Sequence, residues 1–359
     1  MGRVTVKVPG HPYPVLVGRG ALLELPTFVR DLGSSMAAVV TDHEVRREWA
    51  QPVVEGLMGV GVPAHPFAVE AGEGAKSFAT LERVLDFFEE IELDRSGVVL
   101  ALGGGTVGDL AAFAAAVWLR GIRCVQVPTT LLAMVDSSVG GKSGINTART
   151  KNAVGSITQP VAVLADLATL STLPEEQYRA AFAEVVKYSV AMDAELVAEL
   201  ETETEALLAR RDDVLEPVVT RCVQLKARVV AADERETGQR ALLNYGHTVG
   251  HALESASGYT AIHGHAVAFG MRAAARIAER SNLCDGELVQ RQDRLLEAFA
   301  LPGRLPEVSA DGVLAALPRD KKSRGGKPRW VLPRELGRAQ FGISVPDQVV
   351  AEVVRYLLP

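Results

Sequence analysis

Four of the seven histidines fall within nineteen residues, at His247, His251, His263 and His265. The run Asn244-Tyr245-Gly246-His247-Thr248-Val249-Gly250-His251 spaces Asn244, His247 and His251 three and four apart, which on a helix gives them one face. A carboxylate from another helix would complete a two-histidine, one-carboxylate set with its fourth position open, the arrangement that catalytic zinc needs. Glu184, in Ala183-Glu184-Val185-Val186-Lys187, is the candidate. The competing reading is helix-face histidines bonded to backbone or solvent, the usual fate of a lone histidine. Clustering shifts the balance toward chemistry.

A second motif is Leu102-Gly103-Gly104-Gly105-Thr106-Val107-Gly108-Asp109, with glycines in G-x-G-x-x-G spacing after an apolar run and before a helical pattern. Such glycines let backbone approach a pyrophosphate at a helix amino terminus, and the bland alternative is a tight strand-to-helix turn. This fingerprint normally follows the first strand of its fold, so here, near residue 100, the nucleotide is expected to lie differently. Further on, Gly141-Lys142-Ser143 resembles the end of a P-loop, but Asp136 occupies the position that needs glycine, which excludes the ATPase reading. A polar, glycine-rich turn carrying Asp136 and Lys142 remains, followed by Lys151-Asn152, and it suits an anionic ligand.

The rest of the chain must position these groups. At 359 residues about two domains are expected. With 48% hydrophobic and 23% charged residues and no long apolar run, the composition is that of a soluble globular protein. The start, Met1 to Val8, alternates like a strand and lacks a signal-peptide core, so cytoplasm is the expected compartment. Cys124, Cys222 and Cys284 show no metal or redox spacing. A net charge of -6 argues against nucleic acid as the main partner.

The runs 37–41, 97–102, 124–127 and 161–164 read as buried parallel strands, with helical patterns at 80–90 and 109–119 between them. A twisted sheet with helices on both faces follows. From about Thr172 the strand runs vanish, and 175–201, 214–232, 246–258, 264–281 and 286–299 carry helical periodicity. The expected architecture is a nucleotide-binding, Rossmann-like α/β domain over 1–172 and a helical domain over 173–359.

At this point the ordered motifs resemble the 3-dehydroquinate synthase family over nearly the whole chain. They are Gly103 to Asp109, Leu119-Arg120-Gly121, Pro128 to Ala133, Val135 to Lys142, Lys151-Asn152, Ala183 to Lys187, Leu242 to Ala252, His263-Gly264 and Asp320-Lys321-Lys322. The resemblance implies an amino-terminal α/β domain, an all-helical carboxy-terminal domain, and a homodimer. It implies zinc, or cobalt, held by Glu184, His247 and His263, which moves His251 from ligand to catalytic or substrate-contacting residue. It implies NAD contacts at Asp42, Glu73, Lys76, Gly105, Thr106, Val107, Gly108, Asp109, Thr129, Thr130, Lys142, Lys151, Thr169 and Thr172. Asp136, Lys142, Asn152, Lys187, Lys226, Arg240, Asn244, His251 and Lys322 resemble the substrate pocket, and Arg120 reaches the site of the other protomer. Ala112, Ser189 and His265 stand where relatives commonly carry Gly, Gly and Glu.

The implied chemistry is oxidation of 3-deoxy-D-arabino-heptulosonate 7-phosphate, loss of phosphate, re-reduction by the retained NADH, ring opening and aldol closure. NAD cycles without net consumption. The rivals are a polyol dehydrogenase, a different sugar phosphate cyclase, and an NAD-binding sensor without catalysis. The sensor does not need an open metal site, His251 and anion-binding lysines together. Leu243, Asn244, His251 and the 320–322 loop look like the dehydroquinate type rather than that of cyclases acting on other sugars.

Overall fold

The computed structural model describes residues 1–148, 150–303, 308–317 and 329–358. They cluster into two compact units, one of 1–174 with 215–234 and one of 175–214 with 235–359. Residues 215–234 thus pack with the first unit, whereas the sequence reading put them in the second. No helix among the described residues is long and apolar enough to cross a membrane.

The first unit opens with β1 (Gly2–Val6), β2 (Tyr13–Val17), α1 (Ala21–Asp31), β3 (Ala37–Asp42) and α2 (His43–Val45). It continues through α3 (Gln51–Gly59), β4 (Ala64–Val69), α4 (Phe78–Glu90), β5 (Val98–Gly103) and α5 (Gly105–Val117). Then come β6 (Arg123–Pro128), the hairpin β7 (Lys142–Ile145) and β8 (Val154–Ile157), and β9 (Ala162–Ala165). The sheet order is β1-β2-β9-β6-β5-β3-β4, parallel throughout except for the β1–β2 pair. Alternation of side chains across the pleat explains why helices cover both faces. Val99 and Ala101 of β5 pack with Val84, Phe88 and Leu110 of α4 and α5. Val98 and Leu100 pack with Leu25, Val29 and Leu57 of α1 and α3.

This winding fixes where a ligand can sit. From β3 the chain moves outward to β4, then returns across β3 to β5 and continues through β6 to β9, so the strand order reverses between β3 and β5. In doubly wound sheets ligands bind beyond the carboxyl ends of the strands at such a switch point. Asp42 ends β3 and Gly103 ends β5. The glycine fingerprint therefore sits on the fourth parallel strand of this unit by sequence, yet at the place where the topology opens a crevice.

The second unit contains α6 (Glu175–Met192), α7 (Ala194–Leu208) and the start of α8 (Asp212–Ala232), which runs on into the first unit. It resumes with α9 (His247–Ala256), α10 (His263–Arg280), α11 (Gly286–Ala298) and α12 (Ala310–Ala316). A two-stranded hairpin of β10 (Trp330–Glu335) and β11 (Arg338–Ile343) precedes α13 (Asp347–Leu357). The all-helical expectation thus needs correcting: β10 buries Trp330, Val331 and Leu332, a short strand hidden from periodicity by its length and by Pro333. The expected single helix over 175–201 is two, because the Asp193 carboxylate caps α7 by accepting from Leu196 N at 3.2 Å.

Candidate active site

The expected site residues fall in both units. In the first, β5 runs straight into α5 through Gly104, which caps the helix with no side chain, leaving its first amides for a ligand. The glycine positions of the turn are tightly packed. A Cβ on Gly105 would stand 2.9 Å from Ser137 Oγ, and one on Gly108 would stand 2.8 Å from Gln126 Oε1. Thr129 donates its N–H to Gly103 O at 3.0 Å, while its buried Oγ1 finds no hydrogen-bond partner among the described residues. An orphaned hydroxyl beside uncapped amides suits a polar ligand.

Lys76 is almost fully buried, and its Nζ lies 2.6 Å from Asp109 Oδ2 and 3.5 Å from Glu73 Oε1, with Asn152 Oδ1 also in contact. Asn146 ties the cluster together: it donates to Glu73 at 2.9 Å and accepts from Asn152 N at 2.8 Å. Burial pushes the Asp109 carboxyl up, and the Lys76 ammonium opposes that rise without cancelling it. Asp136 lies in a π-helical turn, Ala133–Ser137, and both its carbonyl and its carboxylate accept from Lys226 Nζ, the carbonyl at 2.6 Å.

Other expected contacts are placed but already engaged. Asp42 caps α2 through Glu44 N and Val45 N, and Thr130 Oγ1 accepts from Ala133 N at 3.2 Å. Thr169 Oγ1 donates to Asp166 O at 2.8 Å; Thr172 Oγ1 accepts from Trp49 Nε1 at 3.0 Å. Lys142 opens β7 and is exposed, and Lys151 is half-buried. Arg120 is exposed within Leu119, Arg120 and Gly121, three consecutive residues with positive φ.

In the second unit three helices deliver the metal candidates. Glu184 is fully buried on α6, His247 begins α9 and His263 begins α10. Glu184 Oε1 lies 3.3 Å from Nε2 of His247 and 3.3 Å from Nε2 of His263, and one ligand atom from each residue falls within 4.8 Å of the others. Close backbone approach makes this possible: a Cβ on Gly270 would stand 1.8 Å from Gly246 O, so α9 and α10 touch at glycines. Gly246 itself has φ +79, where any other residue would be strained. That left-handed turn also corrects the shared-face expectation, since Asn244 belongs to a separate 3-10 turn, Gln239–Asn244, and only His247 and His251 ride on α9.

Each candidate imidazole is flanked by acceptors at both nitrogens. His247 Nδ1 lies 3.1 Å from Tyr245 O, and His263 Nδ1 lies 3.4 Å from Glu254 Oε1, while both Nε2 atoms face Glu184. A neutral imidazole has one N–H and satisfies one acceptor, so the second nitrogen calls for an extra proton or a cation. The set fits a divalent metal. Burial works to raise the Glu184 carboxyl, but the Lys187 ammonium, paired with its Oε2, and the imidazoles hold it well below the usual carboxylate range. Burial likewise pulls the His263 imidazole down, and Glu184 and Glu254 overcome it, raising it to about 10.

Around this centre the His251 ring stands 5.2 Å from that of His247 and 6.5 Å from that of His263. Arg240 is buried in the 3-10 turn, and Asn244 donates to Glu236 Oε1 at 2.7 Å. Lys322, with Asp320 and Lys321, lies outside the described residues. The sequence reading missed Glu254 and Asn146. Glu254 had a signal, because 247, 251 and 254 continue one helical face; Asn146 had none. Of the three departures, Ser189 is buried with its hydroxyl donating to Val186 O at 2.9 Å, Ala112 packs beside the α4–α5 core, and His265 is half-buried, its imidazole pushed down by burial.

Comparison with known proteins agrees with this architecture. The family model for 3-dehydroquinate synthase N-terminal matches residues 66–180 and that for 3-dehydroquinate synthase C-terminal matches 181–323. A 3-dehydroquinate synthase from Gloeobacter violaceus is 43% identical over 357 residues, covering 99% of each chain. Among solved structures, 2-epi-5-epi-valiolone synthase from Streptomyces hygroscopicus, with NAD+ and Zn2+ bound, superposes with TM-score 0.89 at 29% identity over 96% of each chain. A 2-deoxy-scyllo-inosose synthase complexed with carbaglucose-6-phosphate, NAD+ and Co2+ gives 0.90 at 26% identity over 99% of each. With both halves matched and such identity along its length, the chain belongs to the 3-dehydroquinate synthase family.

Proposed function

We propose that this chain converts 3-deoxy-D-arabino-heptulosonate 7-phosphate to 3-dehydroquinate and phosphate in the shikimate pathway, using NAD and zinc or cobalt. The observation that carries the proposal is Glu184 Oε1 at 3.3 Å from both His247 Nε2 and His263 Nε2, in a chain 43% identical to a 3-dehydroquinate synthase. Glu184, His247 and His263 would hold the metal, and the uncapped α5 turn with Thr129 would hold NAD pyrophosphate. When bound, the metal supplies Lewis acidity toward a secondary alcohol and NAD supplies reversible hydride acceptance, which together acidify the neighbouring C–H for phosphate loss.

The chain's own residues do the binding and orienting. Lys142, Lys187, Lys226, Arg240 and Lys322 provide cations for the carboxylate and phosphate. Asp136 fixes the Lys226 ammonium at two acceptors, so that charge is aimed before any ligand arrives. Asn152 joins the Lys76 cluster, and Asn244 is oriented by Glu236. His251, its ring 5.2 Å from that of His247, lies beside the metal candidates and would contact the substrate there. Lys76, paired with Asp109 of α5, would hold the helix that follows the glycine turn. The reading also makes the protein a cytoplasmic homodimer, with Arg120 serving the partner's site; the exposure of Arg120 supports that role.

A second reading, a cyclase for a sugar without the carboxylate, is favoured by the structural likeness to the valiolone and inosose synthases. Phosphate release from the heptulosonate phosphate, with catalytic NAD and added zinc, tests the first. Stoichiometric phosphate with no accumulating absorbance in the reduced-nicotinamide band is expected. Accumulating NADH would make the protein a dehydrogenase.

A further inference from the structure

We infer that Glu254 is a positioning residue for the metal site, acting through His263; the inference rests on the metal reading above. Glu254 lies in the last turn of α9, seven residues after His247 and so on the same helical face. It is 3% exposed, a burial a carboxylate rarely tolerates without a charged or hydrogen-bonded partner. Its Oε1 is 3.4 Å from His263 Nδ1, while the opposite nitrogen of that ring faces Glu184. His263 is the more exposed of the two candidate imidazoles, its side chain 33% exposed against 10% for His247. As the first residue of α10 it has no preceding helical turn to pack it. The two rings are therefore steadied differently. For His247 the neighbouring Tyr245 carbonyl suffices, and the Tyr245 side chain is itself fixed by its hydroxyl contact with Gln292. For His263 the acceptor is a buried carboxylate, which selects the Nδ1–H tautomer, turns Nε2 toward Glu184 and makes the ring a stronger electron donor.

The test uses the full-length protein with Glu254→Gln and Glu254→Ala, and reads zinc affinity by chelator competition and the visible absorption of the cobalt-substituted protein. Removing such a partner costs typically 10- to 100-fold in metal affinity, so E254Q should weaken zinc about 10-fold and E254A nearer 100-fold. The cobalt bands should shift in both, while NAD affinity stays at the wild-type value. E254Q is nearly isosteric and decides the matter if E254A does not fold. His263→Ala separates the two ideas. If H263A loses zinc while E254Q keeps wild-type affinity and an unshifted cobalt spectrum, the role of Glu254 is refuted and the metal site stands. If H263A itself keeps full zinc, the metal reading is wrong.

Discussion

Gly264 and Ala180 meet backbone to backbone: a Cβ built on Gly264 would stand 1.9 Å from Ala180 O. That contact fixes how α10 lies on α6, and each of the two helices carries one metal candidate, His263 and Glu184. Gly264→Ala must push the helices apart, because neither clashing atom belongs to a flexible side chain. We expect about 1–3 kcal/mol of destabilisation from the overpacking. Zinc occupancy should also fall well below that of the wild type, read by metal analysis after gel filtration. Full occupancy in a folded G264A protein would show that the triad does not depend on this contact.

Lys76→Met removes the cation beside Asp109 and leaves that carboxylate, its side chain 20% exposed, near Glu73. Breaking a pair whose lysine is buried and whose carboxylate is partly exposed costs about 1–3 kcal/mol at neutral pH. The pH dependence has a definite sign. Asp109 is already raised by burial and rises further without Lys76, so the protonated form favours the fold. Stability tied to this group is complete below about pH 4 and is lost as pH climbs through the raised folded value. Urea melts at pH 5 and pH 7.5 should therefore show the larger deficit at pH 7.5. An equal deficit at both would mean that Lys76 acts through packing alone.

Metal uptake should release a proton. The His263 imidazole of the metal-free protein is raised to about 10, so at pH 7.5 it is cationic and must deprotonate to ligate. Apparent zinc affinity should rise about tenfold per pH unit from this group and level off near pH 10. In the metal-free fold the same group contributes stability that is full below about pH 6.5 and is lost toward about pH 10. Calorimetric titrations of zinc in buffers of different ionisation enthalpy count the protons. About one released at pH 7.5 is expected, and none would contradict the arrangement.

The parts of the fold legible in sequence were those with a strong single period. The strands around Val39, Leu100 and Val125 are continuous apolar runs because both faces are buried, and the helix from Gly105 announces itself through its glycine turn. What stayed hidden depended on tertiary partners. Nothing local reveals that Lys226 reaches back ninety residues to Asp136, or that residues 215–234 leave the helical unit. The i, i+4 pair His247 and His251 also misleads when read alone. Gly246 and the start of α10 decide which imidazoles face Glu184, and the resemblance, rather than the spacing, pointed to His263.

The most direct test of the central claim is kcat/KM for 3-deoxy-D-arabino-heptulosonate 7-phosphate against sedoheptulose 7-phosphate, at saturating NAD and zinc. The second sugar lacks the carboxylate, so buried cations such as Arg240 and Lys187 would lose a partner in the transition state. A penalty of about 4 kcal/mol corresponds to roughly a thousandfold. A preference of that size or more for the carboxylated sugar is predicted. Comparable values for the two would place the chain among cyclases of another specificity and contradict the assignment.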